Sequence, residues 1–166
     1  MSNSWFATIL TCILIGLMVA VLFVQCAHAE DREVSEVGKA ILYLDPDIDM
    51  LYMDTLASLI EQDFEDEGAD PLFGVVLGWM ESRLNPKAYN SASGCKGIFQ
   101  IHPVHGDQCT YDLEVNVEAG AEIWSRYLDR NDGDRYEALK RYGHSSKTAR
   151  RTLALYEEVL DEVLGE

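Results

Sequence analysis

Basic side chains are scarce in this sequence: 13 Lys and Arg stand against 29 Asp and Glu over 166 residues, a formal net charge of −16. Binding to nucleic acid or to anionic lipid surfaces rests on clustered Lys and Arg that neutralise phosphates, so both are poor partners for this chain. Solubility, as in a saline setting, is the simplest reading of the acid excess. Repeats and low-complexity tracts are absent, as are glycine loops that cradle phosphate and the nucleophile elbow of hydrolases. Nothing in the pattern asks for a cofactor, a nucleotide or a metal.

Charge of either sign is missing from the first 29 residues, and Trp5 to Val24 is almost wholly apolar, interrupted by Thr11, Cys12 and Gly16. About 20 apolar residues suffice to span a bilayer, so this is a membrane-directed segment. Ala27-His28-Ala29 has the small-x-small pattern of a signal-peptidase site, yet the apolar run exceeds a usual signal core. Two outcomes stay open: a cleaved signal peptide, or an inner-membrane anchor formed by residues 5–25. No Lys or Arg precedes the run to orient it, and Phe23-Val24-Gln25 lacks the small residues expected before a lipidated Cys26. Either way, the rest of the chain is expected outside the cytoplasm, in the periplasm or cell envelope.

Cysteine is nearly as sparse. Cys12 and Cys26 fall in the leader, which leaves Cys95 and Cys109 for the exported part. An even pair in an exported protein is expected as a disulfide, contributing about 3 kcal/mol through the unfolded chain. The competing reading is zinc, through Cys95-x6-His102-x2-His105-x3-Cys109, a spacing that is not standard for that metal.

What is present fits one domain after the leader. We expect a signal peptide or anchor over 1–29, an acidic linker over 30–47 broken by Gly38 and Pro46, and the folded domain over 48–166. Leu51, Leu56, Leu59 and Ile60 recur at helical spacing and predict a helix over 48–64, stopped near Gly68. Asp70-Pro71 is a helix start, and the apolar run Leu72 to Met80 belongs in the middle of a core. Asn85-Pro86 ends that helix, and residues 87–96 read as a loop. Further helices are expected over 115–128, 135–142 and 146–164, giving a compact, mainly α fold with few or no strands. Trp79 and Trp124 are expected as core anchors, and the stripe Glu157, Glu158, Asp161 and Glu162 as a solvated helix face.

Glu81 is the first charge after about ten apolar positions on the central helix. A carboxyl there should be partly desolvated, and desolvation favours the protonated form, which can give its proton to a leaving oxygen. The bland alternative is that Glu81 ends a buried helix and pairs with Arg83 or a nearby Lys.

The order of features narrows this choice. Asp70-Pro71, the apolar helix, Glu81-Ser82-Arg83-Leu84-Asn85-Pro86, the Ser91-Ala92-Ser93-Gly94 loop and Gly97-Ile98-Phe99-Gln100-Ile101-His102-Pro103 together resemble the soluble lytic transglycosylase (SLT) domain of the lysozyme-like superfamily. The likeness continues through Asn116-Val117-Glu118-Ala119-Gly120-Ala121, Tyr127-Leu128 and Ala138-Leu139, and spans about Asp47 to Leu160. It implies a lysozyme-like helical domain that cleaves the glycan strands of peptidoglycan, with Glu81 as catalytic acid/base. It also implies Ser82 near the reacting sugar, Gln100 lining the cleft, Gly97 allowing close approach, and Phe99 as a cleft wall where the family has Met.

The family's third motif, Ala-Tyr-Asn, is only half kept. Here Lys140-Arg141-Tyr142-Gly143-His144 retains the tyrosine, expected to hold the carboxyl or substrate by its hydroxyl, and lacks the asparagine. Asn131 and His144 are the candidates to replace it. Ala88-Tyr89-Asn90 spells the motif but precedes the second one, so its order is wrong. Tyr89 and Tyr111, in loops, are better placed than the tryptophans to stack on sugar rings.

Three readings follow: a transglycosylase that leaves 1,6-anhydro ends; a hydrolytic muramidase of the same fold, needing a second carboxylate such as Asp107 or Asp112; and a non-catalytic glycan-binding factor of a secretion, pilus or phage assembly. Intact Glu81, Ser82 and Gln100 argue against the third, since a binding-only module has no need of a desolvated acid.

Overall fold

Every α-helix in the described part of the computed structural model, residues 33–165, opens on a Ser or Asp whose side chain accepts a first-turn backbone N–H. Such caps satisfy donors that the helix itself cannot, at about 1 kcal/mol each. In chain order, with cap first, these are Ser35 and α1 (Glu36–Leu44), Asp49 and α2 (Met50–Asp66), and Asp70 and α3 (Pro71–Ser82). Then come Asp112 and α4 (Leu113–Asp129), Asp134 and α5 (Arg135–Tyr142), and Ser145 and α6 (Ser146–Leu164). The leader assigned to residues 1–29 lies outside the described residues. Among the described residues no helix is long and apolar enough to cross a membrane.

The segment expected as a linker is corrected at one point: α1 lies inside it. Val37, Ala40 and Ile41, at helical spacing, are buried, and α1 packs on α2, α3 and α6. This nine-residue helix is capped by the Ser35 side chain accepting Gly38 N–H at 3.1 Å. The helices expected over 135–142 and 146–164 occur at those limits. The connection from α3 to α4 carries isolated bridges Tyr89–Lys96 and Lys96–Ile101 and a 3₁₀ segment, Pro103–Gln108, bent at Gly106.

The core forms around α3, whose residues 72–78 are all buried. Phe73 stacks on Trp124 at 4.5 Å between ring centres and meets Tyr156 edge-on at 5.2 Å. Gly74 admits the Phe64 ring, since a Cβ there would lie 2.8 Å from it. Trp124 is thus the anchor expected, whereas Trp79 is half-buried on the last turns of α3 under the Arg83 guanidinium, 4.5 Å from its ring centre. Glu157, Glu158, Asp161 and Glu162 are exposed, and Tyr43 donates to Glu158 at 2.6 Å.

Asp70 does more than cap α3. Its Oδ1 accepts Leu72 N–H at 3.0 Å, while Oδ2 accepts from Arg135 at 3.2 Å and from the Tyr156 hydroxyl. The phenol of Tyr156 is pushed up to about 12 by burial first and the Asp70 bond second. One carboxylate therefore ties the start of the central helix to α5 and α6. Asp70→Ala is expected to cost about 2 kcal/mol in denaturant unfolding, from a lost cap and a donor left without its acceptor. Asp70→Asn, which can still cap, should lose less.

Candidate active site

The sequence ends α3 abruptly, and this places Glu81. Arg83 and Leu84 both take left-handed backbone angles, φ 60° and 56°, so the helix stops at Ser82 before Asn85-Pro86 can clash with it. A non-glycine residue in this region costs about 1–2 kcal/mol. Burial of the Leu84 side chain and a 2.7 Å bond from the Tyr52 hydroxyl to its carbonyl hold the turn. Glu81 thus stands on the last turn of the buried helix and opens into a cleft of about 560 Å³.

That cleft is built from the end of α3, the loop before α4, α4 itself and the α5–α6 junction. Its walls include Glu81, Asn90, Cys95, Gln100, His102, His105, Tyr127, Tyr142, His144 and Thr148. Among the described residues lining it, Glu81 is the only carboxylate. Asp112 is occupied as the α4 cap, accepting Val115 N–H at 3.1 Å, and Asp107 is exposed on the 3₁₀ segment; neither lines the cleft.

Glu81 has neither of its bland partners. Arg83 lies over Trp79, and Glu81 Oε1 is instead 2.6 Å from His144 Nε2, with the two side chains 18% and 6% exposed. On its far side, His144 Nδ1 is 3.3 Å from Thr152 Oγ1, itself fully buried in α6 and donating to the Thr148 carbonyl at 3.0 Å. Of the two candidates for the missing asparagine, His144 therefore reaches the acid. Asn131 serves the turn after α4, donating to the Tyr127 carbonyl at 2.6 Å.

The remaining expected site residues divide. Gln100 lines the cleft with a left-handed backbone (φ 48°), and its amide nitrogen donates to the Gly97 and Ala88 carbonyls at 2.9 and 3.3 Å. Tyr142 also lines the cleft, but its hydroxyl donates to the Phe99 carbonyl at 2.9 Å rather than holding the carboxyl. Burial, reinforced by the charge of Glu81, raises that phenol well above its ordinary value, so it remains a neutral donor. Its ring packs edge-on against Tyr127 and His144.

Four further expectations are corrected. Ser82 does not line the cleft: its hydroxyl donates to the Gly78 carbonyl and accepts Asn85 N–H, both at 3.2 Å, which spends it on ending the helix. Phe99 is no cleft wall either; it is fully buried against Phe64, over a glycine at position 120 whose Cβ would lie 2.4 Å from its ring. Gly97 does permit close approach, at φ 76°, but to Asn116, 2.4 Å from where a Cβ would stand. Cys95 and Cys109 are free thiols in this structure, with no disulfide between them. Cys109 Sγ is turned to the Gly94 carbonyl at 3.6 Å, and Cys95 faces the cleft.

Asn116, buried at the start of α4, was visible in the sequence only as part of a matching stretch. Its Oδ1 accepts Phe99 N–H at 3.0 Å, and its Nδ2 donates to the Lys96 and Thr110 carbonyls, both at 3.1 Å. It fastens the loop carrying Gln100 to α4. Of the histidines between the cysteines, His102 Nδ1 accepts Val104 N–H at 3.1 Å. His105 is held below the ordinary histidine value, chiefly by burial and then by Arg126. Tyr89 and Tyr111 are exposed, the latter beneath the Lys96 ammonium at 5.4 Å.

The family model described as transglycosylase SLT domain matches residues 58–162, a span holding α3, the cleft loop, α4, α5 and most of α6. No curated protein and no solved structure matches the chain.

Proposed function

The chain belongs to the transglycosylase SLT family of the lysozyme-like superfamily, and on that footing we propose that it cleaves the β-1,4 bond between N-acetylmuramic acid and N-acetylglucosamine in peptidoglycan without consuming water. The observation that carries this reading is a cleft with one carboxylate, Glu81, on the end of a buried helix. Glycosidases that follow the common pattern use two carboxylates on either side of the bond. A site with one must obtain its second function from the substrate.

Glu81, protonated, gives its proton to the bridging oxygen as the bond to the anomeric carbon breaks, and the glucosamine unit leaves with a free hydroxyl. The oxygen of the muramic N-acetyl group stabilises the positive anomeric carbon. Glu81, now ionised, takes the proton of the C6 hydroxyl as that oxygen bonds to the anomeric carbon, closing a 1,6-anhydro ring. The carboxyl ends the cycle protonated as it began. Gln100 offers its amide oxygen to the sugar, and Tyr89 and Tyr111 are exposed faces on which neighbouring rings can stack. Substrate in the envelope matches export by the uncharged leader, cleaved or kept as an anchor.

The test is digestion of purified murein sacculi by the full chain, followed by borohydride treatment of the released fragments. Anhydro ends have no free anomeric carbon and resist reduction, which is the result expected. Ends that are reduced quantitatively would establish a muramidase, and no release at all would favour glycan binding within an assembly.

A further inference from the structure

The bond between Glu81 and His144 has a consequence for where protons sit, resting on Glu81 as the acid. A hydroxyl has one proton to give. The Thr152 hydroxyl spends it on the Thr148 carbonyl at 3.0 Å, the shorter of its two contacts, so toward His144 at 3.3 Å it is an acceptor. His144 Nδ1 must then carry hydrogen. A neutral His144 with hydrogen on Nδ1 has only a lone pair on Nε2, and that lone pair faces Glu81 Oε1 at 2.6 Å. Two lone pairs cannot share that distance. Either the carboxyl is protonated and donates to Nε2, or the imidazole is doubly protonated and donates to the carboxylate; in both, the pair holds one proton.

We propose that His144, its tautomer fixed by Thr152, is a positioning residue that keeps one proton shared on the Glu81–His144 pair, from which Glu81 acts as the acid. After Glu81 has given its proton away, its carboxylate faces the bare Nε2 lone pair. That repulsion strengthens it as the base that must recover a proton from the C6 hydroxyl. Had Thr152 been a donor, Nε2 would carry hydrogen and stabilise the ionised carboxylate, the opposite bias. His144, at 6% exposure, is nearly enclosed, which strengthens the bond it makes to Glu81.

The other titratable groups that line the same cleft are Tyr127 on α4, Tyr142 at the end of α5, and Cys95, His102 and His105 on the connecting loop. Tyr142 stays neutral, as derived above. His105, which lines the same cleft with its proton disfavoured by burial, is the group whose titration has to be separated, and His105→Gln serves as the background for that purpose.

The experiment measures kcat/KM on murein against pH for the full chain, for His144→Gln and for Thr152→Val and Thr152→Ser. The amide of Gln donates to a carboxylate, and Val removes the acceptor that fixes Nδ1, so both should move the alkaline limb to lower pH. A move of one unit appears as about a tenfold loss at the alkaline end with little loss at the acidic end. Thr152→Ser, which keeps the hydroxyl, should restore the limb. A purely structural role would scale activity equally at all pH, and a limb that stays in place or moves up would overturn the proposal.

Nitrogen NMR of histidine-labelled protein gives a reading that needs no turnover. Nδ1 of His144 should carry hydrogen at every pH, and its Nε2 titration should move in Glu81→Gln. Hydrogen on Nε2 alone in the neutral ring would overturn the tautomer even if the chain cleaves murein. Conversely, a coupled pair with no cleavage would leave this inference standing and bring down the proposed function.

Discussion

Glu81→Gln is expected to lower turnover of murein by about 100- to 10,000-fold, the range in which a positioned general acid contributes. The substitution keeps shape and volume while removing the only proton that the cleft carboxyl can give. Folding should survive it, because the amide of Gln can donate to the same His144 Nε2 that a protonated Glu81 would meet. Unfolding free energy should therefore stay within about 1 kcal/mol of the parent, as expected when a hydrogen bond is replaced in kind. The two readouts separate a chemical from a structural loss. Residual activity within tenfold of the parent would mean that another group supplies the proton.

The second large effect concerns stability. Asn116→Ala should cost about 3 kcal/mol or more, because Phe99 N–H and the Lys96 and Thr110 carbonyls lose their partners together inside the protein. A domain with about 5–15 kcal/mol in hand would be left marginal by this one change. Asn116→Asp should be comparably damaging although it fits the space. An Asp keeps an acceptor for Phe99 N–H, but sets a second oxygen against two carbonyls where an amide donated. Denaturant unfolding checks both. Activity should fall with them, since the loop that Asn116 fastens also carries Gln100. A loss under 1 kcal/mol would mean that the loop is held elsewhere.

Much of the fold was legible because its signals are local. Asp70-Pro71, Asp134 before Arg135 and Ser145 before Ser146 each declare a helix start within a few residues, and caps need no distant partner. The linker reading failed for the same kind of reason in reverse. Around α1, Gly38 and the flanking acids suggest interruption, and three buried residues, Val37, Ala40 and Ile41, are too few to establish a period against them. Its burial is conferred by α2, α3 and α6, which local pattern cannot announce.

The site was legible to the same depth. Glu81 emerged from its place at the end of an apolar helix, and Gln100 from the motif that carries it. Phe99 is expected as a cleft wall because it stands where the family has Met and is as bulky; the glycine at 120 that opens a hole for its ring is 21 positions away and gives no hint of facing it. Ser82 has its expected role from the family's Glu-Ser motif, yet successive helix positions point apart, and its hydroxyl serves the turn. His144 lies 63 positions from Glu81 and Thr152 eight further along. Only the packing of α6 against α3 brings the three into line, and no spacing rule in one sequence encodes that.

In the proposed mechanism the cleft cuts the glycan with the substrate's own hydroxyl in place of water. Digesting murein with the full chain in water enriched in oxygen-18, and weighing the fragments, tests it most directly. The expected fragments have muramic ends that lack one water and carry no heavy oxygen. Ends heavier by one labelled oxygen at the anomeric carbon would contradict it and make the enzyme a hydrolase.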